Sequence, residues 1–233
     1  MRQAGITIER DSPDVEEEYF FSASTHLSQG DLQFVAGEFN NNTLSLEEIT
    51  AASSASPRFQ YGQNRMRAFG VAANWADGSW LYFGELGLHL DKAVIPNRDS
   101  IFRQLGGWDE KDQVLSVFGV QHNGFRNLLL TFELDSIRTK NHDEFMYAEE
   151  NQTSFGARLY WTALNEKLTV VAVRNELANQ AGQVSRVSVD YNWSDSVEVG
   201  LLWADYGSNR NSIFYNFRNN DILQIHLRYN FQI

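Results

Sequence analysis

The 233-residue chain carries 30 acidic against 19 basic side chains, a formal net charge of -11, which argues against nucleic-acid binding. It contains no cysteine, which excludes a disulfide framework and a thiolate metal site. No stretch approaches the roughly 20 apolar residues of a membrane helix, but alternating barrel strands never give such a run, so hydropathy leaves a membrane protein open.

The first residues, "MRQAGITIERDSPD", lack the apolar core and small-residue cleavage site of a signal peptide. Residues 3–10 read as a short strand. Segments 17–27 and 31–40 read as strands around a turn at Ser28–Gly30. A long loop spans 41–63, where Thr43 or Ser45 is placed to cap a helical turn containing Glu47 and Glu48. "AFGVAANW" sets Phe69, Val71, Ala73 and Trp75 against Ala68, Gly70, Ala72 and Asn74. After a turn at Ala76–Ser79, "WLYFGELGLHLD" sets Trp80, Tyr82, Leu86, Leu88 and Leu90 against Glu85, Gly87, His89 and Asp91. In a strand such alternation means one apolar and one polar face.

A second long loop, 92–111, holds a candidate helix between Asp99 and Gly106. A strand near 112–121 and a turn at His122–Phe125 lead into "LLLTFELD", with Leu128, Leu130, Phe132 and Leu134 opposite Leu129, Thr131, Glu133 and Asp135. The loop 139–152 contains "NHDE", which reads as an acidic loop before it reads as a metal site. "SFGARLYW" sets Phe155, Ala157, Leu159 and Trp161 against Ser154, Gly156, Arg158 and Tyr160. A turn at Ala163–Lys167, a strand near 168–174 and a loop at 175–182 follow. "RVSVDYNW" and "VEVGLLW", joined at Ser194–Ser196, alternate in the same way. After the loop 206–221, "DILQIHLRYNFQI" closes the series: Leu223, Ile225, Leu227, Tyr229, Phe231 and Ile233 on one parity, Gln224, His226, Arg228, Asn230 and Gln232 on the other.

Short turns and long loops alternate along the whole chain. In an up-and-down barrel alternate connections lie on opposite rims, and short turns on one rim with long loops on the other is the outer-membrane arrangement. The prolines at 13, 57 and 96 fall in the long connections. Trp75, Trp80, Trp161 and Trp193 flank short turns and Trp203 lies near a long loop, as aromatic girdles at two membrane interfaces require. The expected fold is therefore all-β, one antiparallel up-and-down transmembrane β-barrel domain of about twelve strands, each near the ~9–11 residues of a tilted membrane strand. The competing fold is a soluble β-sandwich or ligand-binding barrel with the apolar parity buried.

The barrel reading places Glu85, His89, Asp91, Glu133, Asp135, Arg158, Arg186, Asp190, Glu198, His226 and Arg228 on the lumen. They would form a hydrated, mixed-charge lining or pair across the barrel and plug it. No G-x-S-x-G and no H-E-x-x-H occurs, so no catalytic residue, cofactor or metal is expected, and an outer-membrane hydrolase ranks below a channel.

"GWDEKDQVLSVFGVQHNGF" and "FYNFRNNDILQIHLRYNF" resemble the C-terminal half of a family of proteobacterial outer-membrane proteins, domain-of-unknown-function family thirteen hundred and two. The similarity rests on Gly107, Trp108, Lys111 and Asp112 entering a strand and on Arg218 to Asp221 before the last strand. It covers roughly residues 100–233, the remainder more loosely. It implies a barrel in the bacterial outer membrane that moves hydrophobic or amphipathic solutes, and it supplies no catalytic residues. Members are longer and carry a signal peptide, which implies that this chain is a C-terminal portion, an arc of a larger barrel, or has a start chosen downstream. Leu227, Tyr229 and Phe231 resemble the terminal-strand signal read by barrel-assembly machinery, from which Gln232 and Ile233 depart. The expected partners are outer-membrane lipid, that machinery and a small hydrophobic solute.

Overall fold

A computed structural model describes residues 7–10, 17–41, 45–51, 57–94, 108–143, 146, 149–178, 182–208 and 215–231. The strands are β1 (Thr7–Arg10), β2 (Tyr19–Leu27), β3 (Gly30–Asn40), β4 (Ser45–Ala51), β5 (Pro57–Gly62), β6 (Arg65–Asp77) and β7 (Trp80–Val94). They continue with β8 (Asp109–Phe125), β9 (Leu128–Thr139), β10 (Asn151–Ala163), β11 (Leu168–Leu177), β12 (Gly182–Ser194), β13 (Val197–Gly207) and β14 (Ile222–Tyr229). A single 3-10 turn, Tyr215–Phe217, precedes β14.

Eleven strands form one sheet in the order β14-β13-β12-β11-β10-β9-β8-β7-β6-β3-β2, every neighbouring pair antiparallel. The chain thus runs up and down, with β4 and β5 inserted between β3 and β6. The short turns are those expected at 28–29, 78–79, 164–167 and 195–196. Gly78 takes φ +57, a conformation that costs glycine least.

Three expectations need correction. The third short turn lies at Arg126–Asn127, not His122–Phe125, because a bulge between His122 and Phe125 lets Phe125 pair with Leu128. Residues 45–51 form a strand, not a helical turn: Ile49 pairs with Phe59 and Leu46 with Tyr61, so cross-strand partners outweigh the local capping signal. The N-terminal strand exists as β1 but joins β5 in parallel within a separate three-stranded sheet β1-β5-β4. Pro57 opens β5, where its missing N–H is tolerated. The candidate helix at 99–106 lies outside the described residues.

The register carries one face across all eleven strands. Leu130 sits beside Leu159, Leu159 beside Ala172, Ala172 beside Val187, Val187 beside Trp203, and Trp203 beside Leu223. This apolar face is exposed. Phe132, Phe155, Leu86 and Leu201 are 56%, 50%, 59% and 42% accessible, while Gly200 and Ala204, on the other face of β13 from Leu201, are buried. The only buried hydrophobic side chains among the described residues are Met66, Val94, Met146 and Ala204. Among the described residues no second layer of sheet covers the apolar face.

The ends of the apolar face differ. Exposed Trp75, Trp80, Trp161 and Trp193 stand at the short-turn end. At the long-loop end the same parity turns polar: Arg67 binds Asp91 at 2.5 Å, Arg65 binds Glu38 at 2.6 Å, and Arg174 binds Glu176 at 3.0 Å. Ser185 accepts from Arg174 at 3.3 Å on the neighbouring strand.

Candidate functional site: the polar face of the sheet

The opposite parity gathers the predicted polar residues, and they fall into three groups. Glu85 on β7 and Asp135 on β9 share a row with Val117 between them, and Glu133 lies two residues along β9 from Asp135. Ser154 donates to Asp135 at 3.0 Å. This is an acidic patch. His89 lies in the next rows of the same face, half-buried, beside Gln113. Gln113 is buried and donates to the Thr139 hydroxyl at 3.2 Å.

Arg158 on β10 and Arg186 on β12 both pair with Val173 of β11, one on each side. They bring the two arginines into one row, the row next to that of Glu133. Like charges in one row repel, so the pair is a cationic step.

The third group lies at the short-turn end of β12, β13 and β14. Asp190, Gly200 and His226 form one row, Asp190 pairing with Gly200 and Gly200 with His226. Glu198, two residues along β13, pairs with Arg228. His226 Nε2 lies 3.4 Å from Asp190 Oδ1 and 3.5 Å from Glu198 Oε1, and Arg228 Nη1 lies 3.0 Å from Glu198 Oε1. The three side chains are between a fifth and a third exposed. Gly200 makes this possible: a Cβ there would collide with His226 Cε1 and with Asp190 Oδ1. The strand alternation put these residues on one face, but it could not tell that they touch, because contact depends on a register over three strands.

Asp91 departs from the expected set. The bulge between His89 and Lys92 inserts an extra residue on β7, and Asp91 takes φ 59 there. Its carboxylate turns to Arg67, which belongs to the apolar parity beside Leu90. Alternation fails at a bulge because two residues oppose one.

Sequence parity also missed apolar residues on this face. Phe83 covers Gly119, whose absent side chain leaves room for the ring. Val117, Leu115 and Val173 lie among the charged groups, so the lining is mixed rather than wholly polar. Leu227 and Tyr229 stand exposed on the apolar face of β14, and Phe231 follows with its ring 4.7 Å from that of Tyr229.

No protein-family model matches the chain, and no curated protein matches it.

Proposed function

We propose that the protein is an outer-membrane β-barrel whose polar face lines a hydrated path for a solute. The observation that carries this reading is the exposed apolar face: Phe132, Phe155, Leu86 and Leu201 stand in the open, and among the described residues only four hydrophobic side chains are buried. A soluble protein buries such a face. The accessible surface is 16276 Å², against the ~10,700 Å² expected for a soluble monomer of 26.7 kDa.

The apolar face also has the dimensions of a membrane band. From Trp80 to Leu90 is about ten residues, or ~34 Å of antiparallel strand. At a tilt of ~40° this spans ~26 Å, against a band of ~25 Å in outer-membrane barrels. Tryptophans at one border and paired charges at the other match the two interfaces. Leu227, Tyr229 and Phe231 supply an aromatic terminal strand suited to barrel-assembly machinery.

For the solute, two readings follow from different observations. The acidic patch and the Arg158–Arg186 step favour a polar or amphipathic solute moving through water. The resemblance to family thirteen hundred and two favours a hydrophobic one. Planar-bilayer recording separates them: a steady large conductance supports the hydrated path. Closed traces with solute uptake into proteoliposomes support a selective hydrophobic path. Folded protein with neither conductance nor uptake rejects transport.

Membrane insertion has its own test. In lipid brominated along the acyl chains, tryptophan fluorescence of the folded protein is expected to be quenched. The strongest effect should come from bromines near the headgroup, where Trp75, Trp80, Trp161 and Trp193 would sit. Fluorescence indifferent to bromination would remove the lipid-facing assignment.

A further inference from the structure

We propose that Asp190, Glu198 and His226 bind one divalent transition ion of the zinc type, tying β14 to β12 and β13. Among the described residues this is the set of His and carboxylate groups whose ligand atoms all lie within 4.8 Å of one another. The two separations from His226 fit an ion more closely than they fit hydrogen bonds. An ion ~2.0–2.2 Å from each donor in tetrahedral geometry sets donor–donor edges of ~3.3–3.6 Å. His226 Nε2 stands 3.4 and 3.5 Å from the two carboxylate oxygens. An N–H···O bond prefers ~2.9–3.0 Å.

The donor count points the same way. One imidazole nitrogen offers a single proton or a single lone pair, yet it faces two carboxylate oxygens at nearly equal distance. A cation accepting from all three resolves this, and two carboxylates neutralise its charge. Gly200 is the second observation. It lies directly between Asp190 and His226 in the register, and any side chain there would drive both donors apart. Arg228 Nη1 lies 3.0 Å from the same Glu198 Oε1 that faces His226, so it fixes that carboxylate while competing with an ion for the oxygen. An imidazole in the set disfavours calcium and magnesium, which take oxygen. Three donors leave a fourth position for water.

The inference rests on the packing of three strands and not on the transport reading, so it stands or falls separately. The test uses the whole chain folded in detergent, stripped of metal, with folding checked by circular dichroism. Added Co²⁺ is expected to give the visible absorption of a low-coordinate site saturating at one equivalent, displaced by Zn²⁺. Glu198→Gln and His226→Gln should each weaken binding at least tenfold. Gly200→Ala should do so while keeping every donor, and His89→Gln should leave it unchanged. A readout without substitutions is carbethoxylation of the native protein: Zn²⁺ should protect His226 and not the exposed His26. Equal labelling of His226 with and without Zn²⁺, or unchanged Co²⁺ binding in folded His226→Gln, would overturn the proposal.

Discussion

Leu130 and Thr131 are adjacent in sequence and stand on opposite faces of β9. Leu130 pairs with Leu159 across the strands, and Thr131 pairs with Arg158. In the membrane reading, a lysine at Leu134, in one row with Phe118 and Gly84 midway between Trp80 and Leu90, enters hydrocarbon near mid-depth, and a lysine at Thr131 enters water. Leu134→Lys is therefore expected to cost about 2–4 kcal/mol in a lipid bilayer. Thr131→Lys should cost under about 1 kcal/mol, from its approach to Arg158 alone. Urea unfolding of the bilayer-folded protein measures both; equal midpoints would count against the lipid-facing parity. Gly200 shows what parity leaves out at this scale. It counts as one more polar-face position in the alternation, but its value lies in an absent atom. That is visible only when Asp190 and His226 are brought over it from two other strands.

Within elements, the chain's alternation fixed which residues share a face wherever the ladder is regular. β9, β10, β13 and β14 keep the expected faces, and β12 does so up to the irregularity between Asn192 and Ser194, since the hydrophobic period of two matches the pleat. The pattern broke down at irregularities. The bulges at His122–Phe125 and His89–Lys92 moved a turn by several residues and carried Asp91 to the other face. The first bulge holds Asn123-Gly124, a pair that reads as a turn and so placed the turn there, while the second has no glycine to announce it. At β4 and β5, partners distant from the capping residues decided the outcome. The β7 bulge yields a test of its own. Asp91 holds φ 59, where a β-branched residue pays about 1–2 kcal/mol and glycine nothing. Its ion pair with Arg67 is about half exposed and contributes under about 1 kcal/mol. Asp91→Val should thus destabilise by about 1–3 kcal/mol and Asp91→Gly by under about 1. Denaturant unfolding decides it, and equal losses would mean that the ion pair, not the backbone, matters at this bulge.

At the scale of the molecule, the number of strands constrains closure. In an antiparallel meander, direction alternates with each strand. The first and last of eleven therefore run the same way, so β2 and β14 are parallel to one another. Among the described residues both are edges, with Phe20, Phe21, Ile225 and Leu227 highly exposed. If they paired directly they would form a parallel seam. Bacterial barrels instead use even, wholly antiparallel sets. Antiparallel closure of this sheet takes an odd number of further strands between β2 and β14, so the two edges should not be neighbours. The absence of native cysteine makes this measurable. Cysteines at Ser22, Ser24 or His26 on β2, each combined with Gln224→Cys on β14, sample the seam on the polar face. A disulfide needs Cβ atoms ~3.5–4.5 Å apart, the spacing of directly paired strands and not of strands one removed. Thr131→Cys with Arg158→Cys, true cross-strand neighbours, is the positive control. Mild oxidation of the folded monomer is expected to link the control and none of the seam pairs. Rapid intramolecular linkage of any seam pair would instead establish an eleven-stranded barrel with one parallel seam. The further strand would then have no place in it.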